Sequence, residues 1–413
     1  MVGAGCGTGR RADATAIDHD AETYVRIVLA LAERDPDSLD SYFGPPAWRE
    51  EAHAQYKPLR EIQQNAQRLA AALKPSRASG PRVEFLERQL RAVIARIDVL
   101  TGVRRSFADE SRLLFGIDPP PSPDRAQADA ARHDLEPLLP GRGDLAHRIA
   151  AFQRRFVVPP DRLAAVFSRA VVECRAATRR YVTLPRDERV DVEYVSDLPW
   201  TAFTRYLGDH TSRVTVNAAV AFTVDEVLQV ACHEAYPGHH VINLLVDDAL
   251  VRGERRVELS VQPLFSPQAL LAEGAASIAP PLAFTGDERL AVERSTLFGV
   301  AGISREGAET AIEVGRLLAR LDPVRADISA RYVDGSLEFA RAAAALEHEA
   351  LMPSAEPMLK FLNQFRSYAV TYARGPELAS AWLDARAAPG DRAARWRAYV
   401  QLVTNPAQVF ERK

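Results

Sequence analysis

The sequence predicts a mainly α-helical protein with one small β-sheet. Through most of the 413 residues, apolar side chains recur at three- and four-residue intervals, which is the period of amphipathic helices. Clusters of Pro and Gly, as at residues 118–123 and 137–143, interrupt these segments. Only residues 190–195 and 212–220 alternate β-branched side chains in the manner of strands. Helices therefore dominate the predicted fold.

Composition excludes several classes of protein. The net charge is −3 at pH 7, so the chain lacks the basic footprint of a nucleic-acid-binding protein. No run of 18 apolar residues occurs, and no transmembrane segment is predicted. The three cysteines, Cys6, Cys174 and Cys232, are far apart in sequence, so a disulfide framework is not predicted.

Three regions follow one another along the chain. Residues 1–15 are predicted to be disordered or the remnant of a signal segment, because Gly3-Ala4-Gly5-Cys6 resembles the end of a lipoprotein signal without the apolar stretch before it. Residues 16–185 form an N-terminal helical region, and residues 186–413 a second region with the strands and the candidate metal-binding residues. The location stays open: cytoplasmic for the chain as written, periplasmic or lipid-anchored if a signal segment is truncated.

Helical periodicity also fixes the predicted elements of both regions. An aromatic, Pro-rich loop at residues 42–46 follows the first of them. In the N-terminal region the predicted helices cover residues 21–33, 59–73, 81–101, 144–156 and 160–178. In the second region, after the strands, they cover residues 287–298, 306–321, 323–332, 336–351, 357–371 and 376–388.

One stretch concentrates the residues that hydrolytic metal sites use. The run His233-Glu234-Ala235-Tyr236-Pro237-Gly238-His239-His240 places three imidazoles and a carboxylate within eight residues. Zinc hydrolases commonly take two imidazoles one helical turn apart, in H-E-x-x-H, with the Glu as general base. Thr223 followed by Glu226 predicts a capping box at the start of the helix that carries this run.

The spacing departs from H-E-x-x-H, because proline occupies the position of the second His. On an unbroken helix His239 faces away from His233, and His240 lies two turns, about 10 Å, along the axis. Pro removes a backbone donor and Gly permits unusual dihedral angles, so Pro237-Gly238 predicts a bulge that returns His239 to the i+4 position. We predict His233 and His239 as zinc ligands and Glu234 as the base. His240 is the alternative second ligand, and a His-rich helix end is the alternative without function.

A third ligand is expected from another helix. Ser266-Pro267 predicts a helix start, with Ser as N-cap and Pro in the first turn. Glu273 follows on that helix, and the small residues of Gly274-Ala275-Ala276-Ser277 allow a close approach to a neighbouring helix. Glu254 and Glu258, in an Arg-rich segment, are the alternatives.

Two further elements are candidates for binding a substrate. Residues 214–217 are the candidate edge strand that pairs with a peptide backbone, and a purely structural sheet is the alternative. Further along, Arg366, Tyr368 and Tyr372 are able to donate hydrogen bonds to an oxyanion, and Arg366 or Arg374 to hold a peptide carboxylate. Tyr368 and Tyr372 also have the four-residue spacing of helix core positions.

The same motifs resemble those of a bacterial family, the domain-of-unknown-function 885 family, which is similar to gluzincin metallopeptidases such as neurolysin and the thermostable carboxypeptidases. The run from His233 to His240 resembles the family signature. Glu273-Gly274-Ala275-Ala276 is similar to its Glu-Gly-Trp-Ala segment, with Ala275 in place of Trp. Tyr372-Ala373-Arg374-Gly375 resembles its Tyr-x-x-Gly element, without the Pro-Gly-Gln that usually precedes it.

The resemblance implies a zincin-like fold in which two helical halves surround a deep channel, with a small sheet beside the metal-binding helix. It implies one Zn²⁺ ion held by His233, His239 and Glu273, and it makes residues 186–413 the catalytic region. The expected activity is hydrolysis of peptide bonds in short peptides, with carboxypeptidase-like cleavage as one form. A metal-dependent amidase and an inactive binding protein are the alternatives. The candidate catalytic residues are Glu234, Tyr372, Tyr368 and Arg366.

Overall fold

The computed structural model describes residues 6–73 and 80–406, with side chains from residue 16 onward. Over these residues the prediction of a mainly α-helical protein is confirmed. The signal-like residues Gly3-Ala4-Gly5 lie outside the described residues, and the first helix begins at Cys6. Among the described helices, none has both the length and the apolar character needed to cross a membrane.

The first half of the chain is helical as far as the sheet. The predicted helix at residues 59–73 forms with those bounds, because Ile62, Ala66, Leu69 and Leu73 fall on one buried face. A short strand precedes the Pro-rich loop. The elements are α1 Cys6–Ala32, β1 Leu39–Tyr42, α2 Pro46–Ala54, α3 Leu59–Leu73, α4 Pro81–Leu100, α5 Phe107–Glu110, α6 Arg125–Leu135, α7 Leu145–Gln153 and α8 Leu163–Thr178.

A three-stranded sheet follows, in the order β2-β4-β3, from β2 Arg189–Val195, β3 Ala202–Gly208 and β4 Thr211–Asn217. β4 pairs in parallel with β2 and antiparallel with β3. The prediction that residues 214–217 form an edge strand is therefore wrong, because they lie in the central strand. The edge strand nearest the site is β3, which the sequence analysis missed although the Gly-Asp turn at its end is a hairpin signal.

The second half of the chain returns to helices. The predicted helix at residues 357–371 ends at Phe365, and the next begins at Val370 and continues through Pro376. The elements are α9 Val224–Glu234, α10 His239–Val246, β5 Val261–Pro263, α11 Pro267–Ser277, α12 Ala279–Ala283, α13 Gly286–Val292, α14 Phe298–Ala301, α15 Ala308–Ala319, α16 Asp322–Val333, α17 Phe339–His348, α18 Glu356–Phe365, α19 Val370–Asp384 and α20 Arg392–Thr404.

Close packing between α11 and α19 brings two halves of the candidate site together. A Cβ added to Gly274 on α11 would lie 2.3 Å from the carbonyl oxygen of Gly375 on α19. The two backbones therefore touch, which confirms the prediction that small residues after Glu273 allow a close approach. This contact sets the distance between Glu273 and Tyr372, which lies on the first turn of α19.

A disulfide and a shared core anchor the motif helix. Cys174 on α8 is bonded to Cys232 on α9, across a sequence separation of 58 residues. This disulfide was not predicted from the sequence, because helix packing brings together cysteines that are remote in sequence. The largest apolar core contains side chains of α8, α9, α11 and α20, so it joins residues on both sides of the 185–186 boundary.

Candidate metal centre

The His-rich motif spans the junction of two helices. α9 begins at the predicted capping box of Thr223 and ends at Glu234, and α10 begins at His239 after a tight turn. The prediction of a bulge within one continuous helix is wrong, because α9 ends at Glu234 and a separate helix, α10, begins at His239. The new helix nevertheless brings His239 beside His233, with ring centroids 4.8 Å apart.

Backbone contacts hold the turn between these helices. The Gly238 N–H donates to a carbonyl in the last turn of α9 at 3.0 Å. A Cβ on Gly238 would lie 1.8 Å from the carbonyl oxygen of His233, so only glycine fits here. The Tyr399 hydroxyl on α20 donates to the Pro237 carbonyl at 2.9 Å. The turn therefore fixes where His239 leaves the backbone relative to His233.

Glu273 on α11 completes a cluster with the two imidazoles. Its Oε2 lies 3.4 Å from Nε2 of His233, and its Oε1 lies 3.4 Å from Nε2 of His239. The ligand atoms of the three residues all lie within 4.8 Å of one another. Glu254 and Glu258, the alternatives for the third ligand, are not in this cluster, and Glu258 accepts hydrogen bonds from an arginine of α4 instead.

The cluster fits a zinc ion on two observations. In a tetrahedral site with bonds of about 2.0–2.2 Å, ligand atoms lie about 3.3–3.6 Å apart, and the two measured separations of 3.4 Å fall in that range. Both exceed good hydrogen-bond lengths, and Oε2 of Glu273 is buried with no hydrogen-bond partner in the described part of the chain. Two imidazoles and one carboxylate are a donor set of catalytic zinc sites, which leave a fourth position open.

Glu234 lies beside the cluster but does not belong to it. It is buried, and its Oε2 accepts a hydrogen bond of 2.6 Å from the hydroxyl of Thr204 on β3. The same hydroxyl lies 2.9 Å from the Glu234 carbonyl oxygen. Thr204 thereby fixes the carboxylate at the wall of the cavity that also contains His233 and His239. The sequence analysis missed Thr204 because it missed the strand that carries it.

The predicted tyrosines reach the cavity in two different ways. Tyr372 lines it and is 46% exposed. Tyr368 also lines it, but it is buried and donates a 2.8 Å hydrogen bond to Oε1 of Glu273. Tyr368 therefore orients a candidate metal ligand. Because its hydroxyl proton is already donated to Glu273, this contact does not favour the predicted hydrogen bond from Tyr368 to an oxyanion.

The predicted arginines do not take part. Nε and Nη2 of Arg366 lie 2.9 and 2.8 Å from Oε1 of Glu110, which is buried, and Arg366 does not line the cavity. Its predicted role is not favoured, because this ion pair holds the guanidinium away from the cavity. Arg374 is paired with Glu377 on its own helix, at 2.6 Å, and does not line the cavity either. Neither arginine is placed to hold a substrate carboxylate.

His240 belongs to a buried network behind the motif. Its side chain is fully buried, with Nδ1 2.8 Å from the Ser212 hydroxyl and Nε2 3.2 Å from Oε2 of Glu188. The Tyr236 hydroxyl donates to the same carboxylate, and Arg175 forms an ion pair with it. His240 therefore does not join the cluster, and its network packs the turn from the opposite side.

A cavity of about 200 Å³ lies in front of the cluster, between the edge of β3, the segment at residues 36–40, and helices α18 and α19. The charged residues that line it and were not predicted from the sequence include Asp40 on β1 and Arg205 on β3. The signal for them is weak, because each is a single charge in a short strand. Only the fold brings Asp40 across about 190 residues of sequence to the motif.

Burial and neighbouring charges shift the pKa values of several side chains in the cavity. Burial raises the pKa of Glu273, but the imidazoles of His239 and His233 outweigh it and hold that pKa well below its usual range. Burial lowers the pKa of His239, but Glu273, Glu234 and Asp40 outweigh it and raise the pKa to about 9. Burial raises the pKa of Asp40 to about 7. In the metal-free protein, protonated His239 therefore lies beside ionised Glu273 at neutral pH.

A solved structure of unknown function is similar to this chain in fold. No family model matches the chain, and no curated protein matches its sequence. This solved structure is described as "the putative lipoprotein from Colwellia psychrerythraea", with a TM-score of 0.51 and 14% sequence identity. The match covers 88% of this chain and 64% of the length of that protein. A "putative lipoprotein of unknown function" from Shewanella oneidensis has a TM-score of 0.42 at 12% identity, with 86% of this chain and 76% of that one covered.

Proposed function

We propose that the protein is a zinc-dependent hydrolase of peptide bonds in short peptides, with Glu234 as general base. The observation that carries the proposal is the arrangement of His233, His239 and Glu273, in which a buried carboxylate oxygen accepts no hydrogen bond from any described residue and the ligand atoms are 3.4 Å apart. Glu234 beside this cluster favours catalysis over a structural site, because structural zinc sites need no base. The resemblance to gluzincins at these same residues points to the same activity.

Each polar residue of the site has a role in this reaction. When bound, zinc would supply Lewis acidity, polarising a carbonyl and acidifying a water. Glu234 would accept the proton of that water at Oε1, because Thr204 already donates to Oε2, and would return it to the leaving amine. Tyr372 would donate its phenolic proton in a hydrogen bond to the developing oxyanion. Tyr368 holds Glu273 in orientation through its 2.8 Å hydrogen bond.

The edge of β3 supplies a place for the peptide backbone. The Tyr206 N–H points away from β4 and donates to the Ser41 hydroxyl at 3.0 Å. Backbone groups alternate along a strand, so those of Ala202 and Thr204 point to the same side as the Tyr206 N–H, towards the cavity. An extended peptide would pair with them, as in β-augmentation. The 200 Å³ cavity favours short peptides over folded proteins.

Metal analysis and a peptide digest test this function. The protein, reconstituted with zinc, should contain about one zinc per chain, and it should cleave members of a library of short peptides. A chelator should abolish cleavage, and added zinc should restore it. Glu234→Gln, which keeps the size of the side chain but cannot accept a proton, is the matched control for contaminating peptidases and should lower the rate about 10²–10⁴-fold.

Three results would change the assignment. Cleavage of non-peptide amides with no cleavage of peptides would make the protein an amidase. Zinc binding without any hydrolysis, in wild type and Glu234→Gln alike, would make it a binding protein with a metal site. Absence of zinc after reconstitution, with His233→Ala indistinguishable from wild type, would remove the metal centre itself.

A further inference from the structure

Asp40 is aimed at the cavity by an irregularity in its strand. β1 pairs with β5, and Leu39 lies opposite Pro263 while Ser41 lies opposite Gln262. Asp40 is therefore the extra residue of a bulge, without a partner on β5. Bulges redirect a side chain, and they are common next to active sites. Here the bulge leaves Asp40 in the lining of the cavity that contains the cluster.

The carboxylate of Asp40 has no strong partner among the described residues. Its one hydrogen bond, from the Ser41 hydroxyl, is 3.5 Å long, which is beyond good hydrogen-bond length. No Lys, Arg or His of the described chain forms an ion pair with it, and Arg205, the cation on the facing strand, forms none either. A half-buried carboxylate without a partner is unfavourable, so a cationic ligand would stabilise it.

The charge of the metal-loaded cavity also favours a cation at this position. Asp37, Asp40, Glu234 and Glu273 carry four negative charges as carboxylates, Arg205 carries one positive charge, and a zinc ion would add two positive charges. One negative charge then remains on the side of Asp40. In a short peptide the matching group is the terminal ammonium, which donates three hydrogen bonds and is compact enough for a narrow cavity. An ammonium beside Asp40 would in turn favour the ionised carboxylate.

We propose that Asp40 is a specificity-determining residue that binds the free α-amino group of a short peptide, so that the substrates are peptides with an unblocked amino terminus. This inference rests on the proposed function of the cavity. It differs from the predicted carboxypeptidase-like selection by Arg366 or Arg374, both of which are paired away from the cavity. The peptide would have its amino end at β1 and its backbone along β3.

Binding to an inactive, zinc-loaded protein tests the inference without requiring hydrolysis. With the Glu234→Gln variant, calorimetry should show trialanine binding about 10- to 100-fold more tightly than N-acetyl-trialanine, the usual worth of a charged hydrogen bond. Adding Asp40→Asn should reduce this preference to less than about threefold, with zinc content unchanged. Equal binding of the two peptides to the Glu234→Gln protein would overturn the inference, and that comparison needs no change at Asp40.

Asp37→Asn is the matched control. Asp37 lines the same cavity three residues earlier, but its carboxylate already accepts a 2.9 Å hydrogen bond from Gln364. Its neutralisation should leave the preference for the free amino group intact. The role of Asp40 is overturned if Asp40→Asn retains the preference for the free amino group, or if Asp37→Asn loses that preference to the same extent. It is also overturned if Asp40→Asn loses zinc.

The inference and the proposed function fail in different ways. If wild type cleaves free and acetylated peptides at equal rates, the hydrolase stands and the role of Asp40 is wrong. If it cleaves no peptide, but the binding preference exists and depends on Asp40, the specificity stands and the hydrolase is wrong.

Discussion

Replacing Gly274 by Ala should weaken zinc binding from outside the metal cluster. A Cβ at this position would lie 2.3 Å from the carbonyl oxygen of Gly375, whereas real Cβ contacts are essentially never below 3.0 Å. Helices α11 and α19 would therefore have to separate by about 0.7 Å or more at this contact. Glu273 directly precedes Gly274, and zinc sites tolerate only about 0.2 Å in their ligand distances. The shift is several times larger than that tolerance.

Two quantities should change as a result. Zinc affinity, measured by competition with a chromophoric chelator, should fall about 10- to 100-fold, as it does when a ligand loses its support. Overpacking should lower the free energy of unfolding of the metal-free protein by about 1–3 kcal/mol. The higher helix propensity of Ala should offset about 1 kcal/mol of this loss. Urea denaturation followed by circular dichroism measures this term.

Gly315→Ala is the matched control, because it makes the same change inside α15, where a Cβ would have no neighbour within 4 Å. It should stabilise the protein by about 0.4–1 kcal/mol and leave zinc affinity unchanged. If Gly274→Ala binds zinc as tightly as wild type and is as stable as Gly315→Ala, then the helix contact does not position Glu273 and the reasoning is refuted.

Four further predictions concern the site and its anchors. Glu273→Gln should lower zinc affinity, whereas Glu234→Gln should keep zinc and lose activity. If elemental analysis shows that Glu234→Gln loses zinc and Glu273→Gln retains it, the two roles are exchanged. His239→Ala should lose zinc, whereas His240→Ala should retain it and lower the free energy of unfolding by about 1–3 kcal/mol, because it leaves buried polar groups unpaired. Cys174→Ser should lower the free energy of unfolding by about 4 kcal/mol, by the loop-entropy relation for a separation of 58 residues; reduced wild type should match it in urea denaturation. Below its pKa of about 9, His239 binds a proton that zinc must displace. Zinc affinity should therefore rise about tenfold per pH unit from pH 7 to 9 and then level. A series of chelator competitions in which zinc affinity does not depend on pH would contradict this prediction.

Local sequence patterns determined the helices and most of the residues of the candidate centre. The bounds of α3 follow from apolar spacing within one element, and the start of α9 follows from the capping box of Thr223 and Glu226. The chemistry of His, Glu and Pro-Gly within eight residues was enough to predict His233 and His239 as candidate ligands, with His240 as the alternative, and the structure places His233 and His239 in one cluster with Glu273. These features depend on neighbours within one or two turns, which the sequence places directly.

Only the tertiary structure decided which distant groups meet the motif. Thr204 and Asp40 come to the site from strands outside the motif helices, and no local pattern distinguishes them from other polar residues. For the same reason the sequence could not show that Arg366 is held by a buried carboxylate of α5, or that Cys174 meets a cysteine of α9. Residue types limit which chemistry is possible, but helix packing and strand register decide which side chains share a cavity.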